Sequence, residues 1–121
     1  MKRDMDLVRK ILLMMENEPH GYSNGRIIIE GYSTDQIGYH VYLMKQAGLV
    51  EGCDVTSHDS QSPIAMPTAL TWQGHEFLDA CRNESIWIKA KEKLQSIGGD
   101  VPLEVVKALL IDIMRKQVTG T

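Results

Sequence analysis

The chain has 121 residues, 43% of them hydrophobic, and a formal charge of −3. This composition fits one compact unit with a real core and excludes two ordinary domains, and the acidic balance argues against a nonspecific nucleic-acid binder. No apolar run approaches the ~20 residues of a membrane span, and no signal-peptide cleavage site follows the basic start, so we expect a cytosolic protein.

The first predicted element is a helix over residues 5–17. Asp4 stands before it as an N-cap, and Pro19 limits it because the residue before a proline avoids helical geometry. Arg9 and Lys10 lie on its wetter side, where we favour solvated side chains over a phosphate contact. The apolar residues at helical spacing, which predict a place in the core, are Val8, Ile11, Leu12 and Met15.

A β-branched run over residues 26–30 predicts a strand, which Gly31 ends. Only the few residues at 32–36 remain before the next apolar pattern begins. We therefore expect no more than a single helical turn between this strand and the central helix.

The central helix is predicted over residues 33–48, capped by Ser33 or Thr34 and ended by Gly48. Its narrow apolar stripe consists of Ile37, Val41 and Met44. The side chains that point away from this stripe form the candidate binding surface and are Gln36, Tyr39, Tyr42, Lys45 and Gln46. His40 belongs to the candidate set as well; we favour a partly buried ring that shares a backbone hydrogen bond, with a nucleic-acid contact as the alternative.

A hairpin is predicted after this helix. Its first strand covers residues 49–56 with room for a bulge at Glu51-Gly52, and its second strand covers residues 68–72. The loop between them, residues 57–67, is rich in Ser, Pro and Asp and forms the tip of the hairpin. This tip offers His58 and Asp59 but no Lys or Arg, whereas a hairpin that holds DNA usually offers a cation to a phosphate.

Three helical stretches complete the chain. Thr71 is expected to cap the first, Asn83 or Ser85 to start the second, and Pro102 to start the last, with Gly98-Gly99 as a helix stop. The last helix has an apolar stripe wide enough to fold back on the domain or to pack on another chain. The candidates for a dimer contact on it are Leu103, Val106, Leu110, Ile113 and Met114.

Together these elements predict an α+β fold. We expect a winged helix-turn-helix-like core with a two-stranded wing hairpin over residues 1–83, and a helical extension over 84–121 that packs on the core or mediates dimerisation. The helix at 33–48 resembles the recognition helix of winged-helix domains, and the segment LTWQGHEFL resembles the hydrophobic-Thr-x-x-Gly-x-x-Phe-Leu segment that follows the wing in many of them. The short stretch before the central helix departs from that pattern and implies a one-turn helix or a degenerate motif.

Three segments in this order, MKRDMDLVRKIL, IGYHVYLMKQAGLVEG and LTWQGHEFLDA with IWIKAKEKL, are similar to an uncharacterised bacterial and phage family known only as a domain of unknown function. The resemblance spans nearly the whole chain. It implies a small cytosolic protein, often encoded by a prophage, with a winged-helix core. It carries no catalytic residues to this sequence.

The sequence offers little support for catalysis. None of the four histidines pairs with another His or Cys at a metal-ligand spacing, and no Gly-rich phosphate loop is present. The serines of the wing tip have no positioned base in evident register. We therefore expect no enzyme, no metal and no cofactor, and we expect Cys53 and Cys81 to be reduced.

Two functions remain open. The first is a DNA-binding regulator, expected to be a homodimer, that places residues 36–46 in the major groove of double-stranded DNA; its candidate phosphate contacts are Arg3, Arg9, Lys10 and Arg26. The second is a protein-interaction module on the same fold that contacts a host or phage protein. The second is favoured by the acidic residues 1–72, which hold six basic and nine acidic side chains.

Overall fold

Five helices and one two-stranded antiparallel sheet make up the part of the chain that the computed structural model describes, residues 1–23, 26–98 and 101–120. The predicted α+β class and the hairpin are confirmed. The elements in chain order are α1 (Met5–Glu16), α2 (Thr34–Gln46), β1 (Val50–Asp54), β2 (Ala65–Leu70), α3 (Trp72–Cys81), α4 (Glu84–Ser96) and α5 (Leu103–Thr119).

The chain divides into two compact units. Unit 1, Met1–Glu76, contains α1, α2 and the hairpin, and α2 packs on α1 and on both strands. Unit 2, Phe77–Thr121, contains α4 and α5, which pack on each other. No helix in the described residues combines the length and the apolar character that crossing a membrane requires.

Helix α1 begins where the sequence predicts. The Asp4 carboxylate accepts a hydrogen bond from the Leu7 N–H at 3.2 Å, which satisfies one of the free donors of the first turn. The buried face consists of Leu7, Val8, Ile11, Leu12 and Met15. Leu7 and Val8 lie in its first turn, so α1 packs into the core of unit 1 from its start.

The hairpin is longer at its tip than the sequence predicts. The second strand begins at Ala65, three residues before the expected start, and the Val55 N–H donates to the Ile64 carbonyl at 3.0 Å beyond the last paired residues. Pro67 is tolerated inside β2 because it lies opposite Gly52, beside a register shift, where the missing N–H is not needed. The composition of the loop therefore misled the prediction of its bounds.

The bulge falls at the predicted place. The register shifts between Glu51 and Gly52, whose partners are Ala69 and Pro67, so Thr68 of β2 is the extra residue. The Thr68 carbonyl accepts a hydrogen bond from the Ser23 N–H at 2.8 Å. The segment that follows α1 thus supplies the hydrogen-bond donor for the free carbonyl of the bulge.

The predicted strand over residues 26–30 is wrong. Residues 26–29 belong to no helix or strand, and the Tyr32 N–H closes a turn onto the Ile29 carbonyl at 3.2 Å. Ile27 is buried and Ile28 is exposed, so alternate side chains of this segment face the core and the solvent although the segment pairs with no strand. No separate helix lies between α1 and α2 in the described residues.

A close backbone contact fixes the corner between the hairpin and α3. The Thr71 hydroxyl donates to the Gly48 carbonyl and accepts from the Gly74 N–H at 3.0 Å, so it caps α3 as predicted. A Cβ built on Gly74 would lie 2.0 Å from the Leu49 carbonyl oxygen, inside any possible contact distance. Glycine is therefore required at this position by the approach of two backbones.

Unit 2 begins its helix pair at the predicted caps. The Asn83 side chain accepts from the Ile86 N–H at 3.1 Å, and α5 follows directly after Pro102. Gly98 adopts a left-handed φ of 109° after α4, as expected of a helix stop, whereas Gly99 lies outside the described residues. The buried residues of α4 are Ile86, Trp87, Ala90 and Leu94.

Candidate interaction surface

Helix α2 carries the candidate surface and is well defined at both ends. Ser33 and Gln36 form a reciprocal capping box, with the Ser33 hydroxyl accepting from the Gln36 N–H at 3.1 Å and the Gln36 side chain accepting from the Ser33 N–H at 2.8 Å. Asp35 and Lys45 lie in the first and last turns, which suits the helix dipole. Gly48 follows with a φ of 78°, the left-handed stop that the sequence predicts.

One face of α2 is committed to the core. Ile37, Val41 and Met44 are buried, as predicted, and the helix contacts α1, β1 and β2. Gly38 lies in the middle of the helix because a Cβ there would come within 2.9 Å of the Ile64 side chain. The opposite face is therefore held in one orientation by the hairpin.

The structure corrects the position of His40. Its side chain is 1% exposed, so it does not belong to the outward surface with the other candidates. The ring donates from Nδ1 to the Gln36 carbonyl at 2.7 Å and accepts at Nε2 from the Asp4 N–H at 2.8 Å. The favoured interpretation, a buried ring that shares backbone hydrogen bonds, describes this geometry, and the ring joins α2 to the start of α1.

Tyr39 and Tyr42 form the centre of the outer face. Their rings stack with a centroid separation of 6.4 Å and an interplanar angle of 16°, and both side chains are half-buried. The Gln46 amide donates to the Tyr42 hydroxyl at 3.2 Å. We call the set Gln36, Tyr39, Tyr42, Lys45 and Gln46 the α2 face.

The α2 face ends beside the hairpin. Lys45 is exposed, and its positive charge acts on Asp54 at the end of β1. Hydrogen bonds from Thr56, aided by Lys45, hold the pKa of the Asp54 carboxyl below its ordinary value of 3.8. The tip beyond it, with His58 and Asp59 exposed, contains no Lys or Arg.

The candidate phosphate contacts have different surroundings. Arg3, Lys10 and Arg26 are exposed, and Arg9 is half-buried. The Lys10 ammonium lies 5.4 Å from the centre of the Tyr32 ring, a cation–π distance just before α2 begins. Each of the three arginines makes an interaction within the protein, so their charges are partly engaged.

Tyr32 connects this region to α1. Its hydroxyl donates to the Asp4 carboxylate at 3.3 Å. Burial raises the pKa of the Tyr32 phenol above its usual value of 10.0, and the negative charges of Asp4 and Asp6 add to the rise. Asp4 thus caps α1, bonds to His40 through its backbone and holds Tyr32 through its side chain.

An apolar groove beside α2 was missed by the sequence analysis. It has a volume of about 240 Å³ and lies between the start of α2, residues 26–27 and the tip half of the hairpin. Its apolar walls include Ile37, Val41 and Ile64, and Val55 and Met66 at its edge are exposed. We call it the hairpin groove. A glycine inside a predicted helix was the available signal, because Gly38 makes room for Ile64.

A second cavity of about 260 Å³ lies between the end of α1 and β2 and is lined by His20, His75, Glu16 and Glu18 among others. Within the described ranges, no three His, Cys, Asp or Glu side chains are placed to hold a metal ion. Cys53 and Cys81 are free thiols, the first exposed and the second buried.

The predicted dimer stripe on α5 requires correction. Val106, Leu110 and Ile113 are buried within the chain, and Leu103 and Met114 are half-buried. These residues complete the protein's own core, so most of this stripe is not available to a second copy. The exposed apolar residues of α5 are instead Val105, Ile111 and Val118.

Comparisons with known proteins identify the family. A family model described as hypothetical protein (DUF2513) matches residues 2–100. The chain belongs to this DUF2513 family. An uncharacterized protein of Haemophilus influenzae is 35% identical to it over 121 residues, covering 98% of this chain and 99% of that protein. No solved structure matches this DUF2513 chain.

Proposed function

We propose that this DUF2513 protein is a non-enzymatic, cytosolic DNA-binding regulator of the kind that prophages encode, with a winged-helix-type core. In this proposal the α2 face enters the major groove of double-stranded DNA. The observation that carries it is the placement of α2, whose inner side packs on the hairpin while amide, phenol and ammonium groups occupy its outer side. These groups are chemically suited to base edges and phosphates.

The charge of unit 1 sets the expected binding behaviour. Unit 1 contains six basic and ten acidic side chains, a formal charge of −4. Because unit 1 has few cations, it can displace few counterions from the DNA. The affinity of its contacts should therefore depend only weakly on salt concentration. Hydrogen bonds from the α2 face must then supply much of the discrimination between sequences.

Selection of duplexes from random DNA tests this proposal, followed by titration of the enriched duplex. We expect Lys45→Ala and Gln46→Ala each to weaken binding about tenfold, in line with the ~1–3 kcal/mol of a base contact. Both residues are exposed, so these substitutions leave the fold intact. Gln95→Ala, at an exposed position of unit 2, is the control.

Tyr39→Ala should also weaken binding of the enriched duplex. Because Tyr39 is half-buried, the melting temperature of the Tyr39→Ala variant is compared with that of the native chain. Unchanged affinity in the Tyr39 and Lys45 variants together would exclude α2 as the element that recognises DNA.

A protein-interaction module is the second candidate, and the hairpin groove favours it. The groove is mostly apolar, and Ile28, Val55 and Met66 are exposed in the segments that form it. Clustered exposed apolar side chains are a mark of protein contact. Under this alternative, Val55→Lys and Met66→Lys abolish capture of a host or phage partner, and no duplex is enriched from random DNA.

We also propose that the protein is a homodimer. The surface for it is the exposed side of α5 that carries Ile111 and Val118, seven residues apart, since most of the expected stripe is buried. Light scattering of the native chain and of Ile111→Glu tests this: a dimer that becomes a monomer on substitution supports the proposal, and a native monomer at high concentration contradicts it.

A further inference from the structure

The groove between α4 and α5 gathers positive charge. It has a volume of about 330 Å³ and is lined by Lys89, Glu92, Lys93, Ile113, Lys116 and Gln117. Ile113 is buried and forms the apolar floor, while the charged side chains stand on the two walls and are exposed. We call it the lysine groove. It lies wholly within unit 2, which has seven basic and six acidic side chains.

Two lysines of α4 lie on the same side of the helix. Lys89 and Lys93 are four residues apart and therefore lie on one side of α4, where like charges repel each other. Within the described residues, neither ammonium group has a carboxylate within ion-pair distance. An anion bound between them would relieve this repulsion.

Lys116 faces them from α5. It forms an ion pair with Asp112 at 3.1 Å, and both side chains remain at least half exposed. A pair of this kind is weak in water, so its ammonium group can also meet a bound anion. Glu92 is the opposing charge on the wall, and the groove keeps an excess of cations.

Three lysines and one carboxylate line the groove, so its charge suits a polyanion. The lysines come from two helices on either side of a buried apolar floor, and this concave shape suits a ridge of phosphates better than a flat membrane surface. We propose that the lysine groove binds the phosphate backbone of duplex DNA. This supplies cationic contacts that unit 1, with its formal charge of −4, is short of. The choice of DNA rests on the proposed function.

The experiment measures the affinity of the full chain for one duplex over a range of salt concentrations. The double variant Lys89→Gln, Lys93→Gln should weaken binding about tenfold for any duplex sequence. Log affinity should also fall less steeply with log salt, the magnitude of the slope decreasing by about 2. The matched control is Lys2→Gln with Lys107→Gln, which removes the same charge outside the groove. An equal loss in the control would show a bulk charge effect and overturn the proposal.

A substitution of opposite sign sharpens the test. Glu92→Gln removes the carboxylate from the groove wall and should tighten duplex binding several-fold, whereas Glu84→Gln, at the exposed start of α4, should not. Thermal melts confirm that each variant is folded. Unchanged affinity for Glu92→Gln together with unchanged affinity for the double lysine variant contradicts the proposal.

The two proposals can fail separately. If the groove variants lose affinity for every duplex while the α2 variants do not, the lysine groove is supported and the α2 face is excluded. If only the α2 variants lose affinity, the lysine groove proposal is overturned. Vesicles containing phosphatidylserine are the competing probe, and binding to them that equals or exceeds binding to the duplex also overturns it.

Discussion

The two units are stabilised in different ways. In unit 1, single chemical groups fix the geometry: Asp4 caps α1, His40 bonds two backbones, and Gly74 allows two segments to touch. In unit 2, two helices share an ordinary apolar stripe in which Leu110 and Trp87 fill volume. The difference teaches that unit 1 depends on residue identity, whereas unit 2 depends on residue size. The candidate surfaces also differ between the units. The α2 face of unit 1 is polar and aromatic, whereas the lysine groove of unit 2 is cationic.

Gly74→Ala should produce the largest loss of stability. The added methyl group would lie 2.0 Å from the Leu49 carbonyl oxygen, which is part of the backbone and has little room to move. We expect the free energy of unfolding to fall by about 3 kcal/mol or more, or the chain not to fold. Urea denaturation checks this. The control is Gly21→Ala, where nothing lies within 4 Å and no change beyond about 0.5 kcal/mol is expected.

Leu110→Ala tests whether unit 2 depends on volume. Leu110 is fully buried, so the cavity should lower the free energy of unfolding by about 3 kcal/mol. Val105 on the same helix is 44% exposed and lies away from the proposed dimer surface, so Val105→Ala should cost less than about 1 kcal/mol. Equal losses in the two variants would mean that the buried stripe of α5 has been misassigned.

His40→Ala removes the ring that joins α2 to the start of α1. The Asp4 N–H would lose its acceptor in a partly buried place, and we expect a loss of about 2 kcal/mol in the free energy of unfolding. Hydrogen exchange should increase at Asp4 first. His58→Ala, on the exposed tip of the hairpin, is the control and should leave both measurements unchanged.

The smallest effect is a titration. The pKa of the Tyr32 phenol should lie above its ordinary value of 10.0, and Asp4→Asn should lower it by removing one negative charge while keeping a cap. Since the pKa is raised in the folded state, the contribution of Tyr32 to stability is fully present below pH 10 and is lost as the pH rises through the folded value. Ultraviolet titration of the native chain and of Tyr32→Phe isolates this phenol; a Tyr32 pKa at or below 10.0 contradicts it.

Local chemistry made much of unit 1 predictable. The caps at Asp4, Ser33 and Thr71 and the left-handed stop at Gly48 each depend on residues within a few positions, so the sequence carries the whole signal. The bulge at Glu51-Gly52 was predictable for the same reason. Helix ends and turns are decided by neighbours in the chain.

Features that depend on distant residues could not be predicted. Residues 26–30 have the composition of a strand, but the two strands in the described part of the chain pair only with each other, so this segment has no ladder partner. A buried His40 with a backbone hydrogen bond was the favoured prediction, but its partner, the Asp4 N–H, lies 36 positions away and could not be identified from the sequence. The hairpin groove and the lysine groove each join side chains from separate elements, so their existence follows from packing and not from any one segment.

The hydroxyl of Thr71 has a consequence for the order of folding. It caps α3 locally and also donates to the Gly48 carbonyl, a contact that spans 23 residues of chain and requires the intervening hairpin to be closed. One hydroxyl thereby links the start of α3 to the pairing of the two strands. During synthesis, the start of this helix should become protected in the same kinetic step in which the two strands pair.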